Sequence, residues 1–227
     1  MEKYTAKLKK TFGYDNFRDK QLEIIRAVLG GRDVCAIMFT GAGKSLCFQF
    51  PAIYAKKLTI VISPLISLMN DQCIKMKAQN INACCINSEM NYDTKTKVLQ
   101  DVKKNKYRLL YTTPEFLIKQ KTLVTELYDS KILLTIAVDE AHCCSTWGND
   151  FRADYKKLSC LKTWCPKLPI ITLTATATEI VQHDIINTMR LNKPLMIKTT
   201  FNRDNLFISV RTKTNNPLED IIPLIVE

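Results

Sequence analysis

The 227-residue sequence carries 33 Lys and Arg against 22 Asp and Glu, a formal charge of +11, and 46% of its residues are hydrophobic. That is the composition of a globular chain with a full core. No run reaches the roughly 20 apolar residues of a membrane helix, and the polar, lysine-rich residues 1–10 are unlike a secretory leader, so an intracellular protein is expected.

In chain order, helical periodicity covers residues 21–29, followed by an apolar run at 34–38. A helix is predicted over 45–55, a strand over 59–62 and a helix over 65–78. A strand at 82–86, a helix at 93–104 and a strand at 108–111 continue the alternation. The last predicted elements are a helix at 114–127, strands at 133–138 and 170–174, and a helix at 179–189. Short apolar strands alternating with helices predict an α/β fold, a doubly wound parallel sheet with helices on both faces. In such sheets ligands gather beyond the carboxyl ends of the strands, which directs attention to the residues following each apolar run.

Nine cysteines are spread through the chain. Cys84 and Cys85 are adjacent, as are Cys143 and Cys144, and no C-x-x-C pair occurs, so neither a zinc module nor a disulfide framework is indicated. Reduced thiols acting as small hydrophobes are expected. The cationic surplus points to a polyanionic partner, because each phosphate neutralised releases counterions.

The run at 34–38 leads into Phe39-Thr40-Gly41-Ala42-Gly43-Lys44-Ser45 and then a helical pattern. This matches the carboxyl end of the G-x-x-x-x-G-K-[ST] phosphate loop, with Met38 at the first glycine position. Gly41 and Gly43 let backbone amides close on phosphate oxygens, and Thr40 and Ala42 complete the loop. Lys44 would neutralise the β and γ phosphates, and Ser45 would offer a hydroxyl to Mg²⁺. The run at 133–138 ends in Asp139-Glu140-Ala141-His142. Asp139 is assigned to the Mg²⁺ shell and Glu140 to polarising the attacking water. ATP and Mg²⁺ are the expected cofactors.

Asp139-Glu140-Ala141-His142 resembles the second motif of superfamily-two helicases, with His142 part of the catalytic set. The following Cys143-Cys144-Ser145-Thr146-Trp147-Gly148-Asn149-Asp150-Phe151-Arg152 resembles the aromatic-rich loop of the RecQ family of DNA helicases. Phe12-Gly13-Tyr14, Phe17-Arg18 and Gln21 resemble the family's adenine-contacting motif, which implies that role for Tyr14, Arg18 and Gln21. The stretch from Ser63-Pro64-Leu65 to Asp71-Gln72 resembles a motif implied to touch the DNA backbone, and Tyr111-Thr112-Thr113-Pro114-Glu115 resembles the next. Thr174-Ala175-Thr176-Ala177-Thr178 resembles the third motif, in which Thr174 and Thr176 would couple nucleotide state to domain closure. Phe39 and Ala42 stand where the family has Pro and Gly, and Thr146 and Asn149 where it has Gln and His.

The resemblance implies a RecA-like first lobe over residues 1–198 and the opening of a second over 199–227. The rest of that lobe, with its arginine for the γ-phosphate, would be supplied in cis or in trans. Trp147 and Phe151 read as stacking platforms for unpaired bases, with Arg152 on a phosphate. The expected activity is 3′-to-5′ unwinding of single-stranded or forked DNA coupled to ATP hydrolysis, weak or absent in the isolated lobe. The alternatives are an RNA helicase lobe and a nucleotide-gated single-strand-binding module without unwinding.

Overall fold

Among the described residues, seven strands form one parallel sheet in the order β3-β4-β2-β5-β6-β1-β7. They are β1 (Val34–Ile37), β2 (Leu58–Ile62), β3 (Ala83–Ile86), β4 (Leu109–Thr112), β5 (Leu133–Val138), β6 (Ile170–Thr174) and β7 (Leu195–Lys198). The computed structural model describes residues 2–147, 150–200 and nine positions between 206 and 222. The opening of a second lobe expected over 199–227, with the motif beginning at Phe201, falls mainly outside the described residues, as does Asn149.

Side chains of β1 to β6 point to both faces of the sheet and feed two cores. Cys35 and Ile37 of β1 face one core, while Val34, Ala36 and Met38 face the other. The second core is covered by α1 (Glu2–Phe12), α2 (Gln21–Leu29), α3 (Leu46–Ala55) and α4 (Ile66–Ala78). The first lies under α5 (Tyr92–Lys103), α6 (Pro114–Leu117), α7 (Lys121–Asp129), α8 (Ala153–Lys157), α9 (Cys160–Trp164) and α10 (Glu179–Thr188). Helices on both faces of a parallel sheet are the expected arrangement. Burial on both faces is why these strands read as continuous apolar runs.

The helix expected over 114–127 is two. Thr113 caps the first through its hydroxyl to the Phe116 N–H, with Pro114 opening the turn. Gln120, at φ −109°, ψ 40°, then breaks the helix before α7. The break lets Leu117 and the Leu123, Val124, Leu127 set reach one core. Helix α1, the short helices α8 and α9, and strand β7 were not expected. Helix α1 buries only Leu8 and Phe12, although Tyr4 stacks on Tyr54 at 4.7 Å. Strand β7 is an edge strand that buries Ile197 alone. Seven of the nine cysteines are buried; Cys47 lies wholly inside, and burial pushes its thiol up to about 12.

At the amino ends of β1, β6 and β7 one carboxylate ties the sheet together. Asp33, 3% exposed, accepts from Lys162 Nζ at 2.7 Å, from the Ile170 N–H at 2.8 Å and from the Asn192 N–H at 2.7 Å. The carboxyl ends of the strands carry the glycine-rich loop and the acidic motif.

Candidate nucleotide and nucleic-acid site

Three neighbouring strands, β5, β6 and β1, deliver most of the candidate residues to one sheet edge. The loop after β1 turns through Gly41 (φ 91°) and Gly43 (φ 84°), conformations that a Cβ would strain. A Cβ on Gly43 would also lie 2.4 Å from Gln21 Nε2. Gln21, 2% exposed, donates to the Ala42 and Gly43 carbonyls at 3.3 and 3.1 Å. Its Oε1 accepts the Arg18 N–H at 2.8 Å, and the Arg18 guanidinium donates to the Gly41 carbonyl. Arg18 and Gln21 therefore brace the loop backbone. Lys44 donates to the Met38 carbonyl at 3.2 Å. Thr40 is exposed, whereas the Ala42 methyl is buried in the core and Ser45 is half-buried at the start of α3.

A cavity of about 610 Å³ opens beside the loop. Tyr14, Arg18, Gln21, Gly43 and Ser45 line one side, and Gln72 and Lys75 of α4 the other. Gln49 of α3, a buried polar residue in an otherwise apolar helix, donates to Gln72 Oε1 at 3.3 Å and contacts the Tyr111 hydroxyl at 3.4 Å. Sequence reasoning passed over Gln49, Gln72 and Lys75 as lining residues. A lone glutamine inside the buried run of α3 was the available signal.

Asp139 follows β5 and is 6% exposed. Burial, and next the Glu140 charge, pushes its carboxyl up to about 6, against the Glu140 N–H and the Lys44 ammonium. Glu140 has a left-handed backbone, φ 49°, a conformation costing a non-glycine residue about 1–2 kcal/mol. A 3₁₀ turn, Ala141–Cys144, comes next. In it His142 Nδ1 lies 2.8 Å from Thr174 Oγ1 and 3.3 Å from Glu140 Oε2. Thr174 Oγ1 in turn donates to the Thr176 carbonyl at 3.1 Å. Glu140, His142, Thr174 and Thr176 thus form one connected set spanning β5 and β6.

Trp147 is 73% exposed and Phe151 42%, so neither ring belongs to a core. Arg152 is turned inward: its guanidinium donates to the Pro64 carbonyl at 3.0 Å and its N–H to the Cys143 carbonyl at 2.8 Å. It braces the aromatic loop against the corner between β2 and α4. No helix among the described residues is long and apolar enough to cross a membrane.

A family model described as DEAD/DEAH box helicase matches residues 18–184. The chain is 48% identical over 218 residues to a protein of Acanthamoeba polyphaga mimivirus that carries the name of an ATP-dependent RNA helicase, covering 96% of this chain and 39% of that protein. It is 44% identical over 220 residues to the bifunctional 3′-5′ exonuclease/ATP-dependent helicase WRN of Mus musculus, covering 96% of this chain and 15% of that one. To the ATP-dependent DNA helicase Q-like 4B of Arabidopsis thaliana it is 43% identical over 224 residues, covering 96% of this chain and 20% of the relative. The chain thus spans 15–39% of the length of these relatives. Among solved structures, the Mycobacterium smegmatis helicase Lhr bound to ssDNA and AMP-PNP superposes with a TM-score of 0.66 at 18% identity, over 99% of this chain and 32% of that one. The DUF1998 helicase MrfA bound to DNA and AMPPNP gives 0.67 at 19%, over 88% and 29%. These two likenesses speak to the fold, a RecA-like helicase lobe.

Proposed function

Because the chain belongs to the DEAD/DEAH box helicase family, we propose that it is the ATP-binding lobe of a RecQ-like DNA helicase in which ATP hydrolysis drives 3′-to-5′ unwinding. The observation that carries this reading is the convergence, on β5, β6 and β1, of a glycine-rich phosphate loop, an Asp-Glu pair and a threonine joined to that pair through His142.

In this reading the amides from Gly41 to Ser45 and the Lys44 ammonium hold the nucleotide phosphates. Tyr14, Arg18 and Gln21 take the base in the adjoining cavity. The Ser45 hydroxyl and the Asp139 carboxylate are hard oxygen donors of the kind Mg²⁺ takes, and a cation would offset the burial of Asp139. When bound, Mg²⁺ neutralises charge on the phosphates. Glu140 accepts the proton of the attacking water, and its contact with His142 links that step to Thr174 and Thr176. Trp147 and Phe151 stack on unpaired bases, each base contributing about 1–3 kcal/mol whatever its identity. Arg152 acts on the strand through the loop it braces rather than by a phosphate contact of its own. A second lobe, in cis or in trans, supplies the arginine that completes the site.

Removing the Lys44 ammonium tests the nucleotide half. Lys44→Ala is expected to weaken binding of a fluorescent ATP analogue at least about 10-fold, the loss of one charge-assisted phosphate contact. Wild-type affinity in that variant would overturn the phosphate-loop assignment. The name of the mimivirus relative favours a second reading, an RNA helicase lobe. Competition between DNA and RNA oligonucleotides of one sequence separates the two. DNA is expected to displace a labelled single strand at lower concentration, and equal displacement by RNA would overturn the DNA preference.

A further inference from the structure

Tyr155 lies in the first turn of α8, four residues beyond Phe151, and its side chain is entirely buried. Its hydroxyl donates to the Asp139 carbonyl at 3.1 Å. On the other side of the same residue, the Asp139 N–H donates to the Ile62 carbonyl of β2 at 2.9 Å. Both peptide groups around Asp139 are therefore anchored, one by the sheet and one by a side chain from beyond the aromatic loop.

The loop carrying Trp147 and Phe151 has two feet. The first is covalent: the 3₁₀ turn begins directly after Glu140. The second consists of Arg152, bonded to Cys143 and Pro64, and Tyr155, bonded to Asp139. Phe151 stands four residues before Tyr155, whose hydroxyl reaches the carbonyl of the buried carboxylate residue. Interior packing and hydrogen bonds pass small displacements on because close-packed groups cannot yield individually.

We infer that Tyr155 is a positioning residue: its buried hydroxyl sets Asp139 for a divalent cation and carries movement of the aromatic loop to that carboxylate. The inference rests on the assignment of Asp139 to Mg²⁺. Outer-shell partners of metal ligands typically change metal affinity 10–100-fold when removed, and Tyr155→Phe removes one hydroxyl while keeping the ring that fills the core.

The test is a paramagnetic titration of Mn²⁺, standing in for Mg²⁺, into this chain with a non-hydrolysable ATP analogue, comparing wild type, Tyr155→Phe and Asp139→Asn. Tyr155→Phe is expected to weaken Mn²⁺ binding about 10-fold while leaving the metal-free affinity for the analogue and the near-ultraviolet dichroism unchanged. An oligothymidine is expected to alter the bound Mn²⁺ spectrum of the wild type and not that of Tyr155→Phe. Wild-type Mn²⁺ affinity in Tyr155→Phe, beside a weakened Asp139→Asn, would reduce Tyr155 to a packing residue and overturn the inference alone. Unchanged affinity in Asp139→Asn would instead remove the metal assignment on which the inference stands.

Discussion

Burial of Asp139 has a consequence for stability that can be read without any ligand. Its carboxyl is pushed up to about 6 in the folded chain from an ordinary 3.8, so between those values the folded state holds a proton that the unfolded chain has lost. Stability then falls as pH rises through that window, by up to about 3 kcal/mol at about 1.4 kcal/mol per unit. Asp139→Asn, which cannot ionise, is expected to melt at a higher temperature than wild type at pH 8 without metal or nucleotide. The difference should shrink as pH is lowered through 6 towards 4. A melting difference that stays constant from pH 8 to pH 4 would show that the Asp139 charge carries no penalty. Asp139 and Glu140 stood out in the sequence as candidate site residues because an acidic pair ending an apolar run has few structural uses. Tyr155 was not legible. The role inferred for it depends on a contact across 16 positions that exists only once α8 has packed against the 3₁₀ turn.

At the scale of elements, the phosphate loop and the segment before α2 behave as one unit. Arg18 and Gln21 were expected at the adenine; the structure shows them tying down the carbonyls of Gly41, Ala42 and Gly43. Two glycines with similar backbones separate conformational strain from this close approach. Gly31 (φ +78°) has nothing within 4 Å of an added Cβ, whereas Gly43 (φ +84°) has Gln21 at 2.4 Å. Gly31→Ala is expected to cost about 1 kcal/mol of stability through backbone strain alone and to leave nucleotide affinity as it was. Gly43→Ala should expel Gln21 from its two bonds and weaken the fluorescent ATP analogue at least about 10-fold, one tenfold step being about 1.4 kcal/mol. Equal nucleotide affinity in the two variants would mean that the Gln21 brace is not needed for binding. Most strands were legible because both faces are buried. β7 was missed because a four-residue edge strand burying only Ile197 leaves little apolar signal, and the division between α6 and α7 was missed because each half separately keeps helical periodicity.

For the molecule as a whole, the two ends of the sheet do different work. The carboxyl ends hold exposed rings, strained turns and a carboxylate held above its ordinary value. At the amino ends, Asp33 gathers three strands, and its partner Lys162, 9% exposed, also donates to the Leu168 carbonyl at 2.8 Å. Asp33→Asn would leave that ammonium buried without its counter-charge, a change expected to cost about 3–5 kcal/mol. Urea unfolding should show this as a lower midpoint with an unchanged slope, and a midpoint within error of wild type would mean that Lys162 finds another partner or water. The fold class was legible from alternation alone, but this staple joins residues 129 positions apart, and no local pattern announces it.

The edge strand has a mechanical consequence. β7 is paired to β1 from Val34 to Ile37, and Thr199 continues the ladder through its N–H to the Ile37 carbonyl at 3.0 Å. Tension applied to Thr199 along the axis of β7 would load the β1–β7 hydrogen bonds together in shear rather than peeling them one at a time. The load would be received one residue before Met38, whose carbonyl accepts the Lys44 ammonium. A pull along that strand is a pull on the root of the phosphate loop.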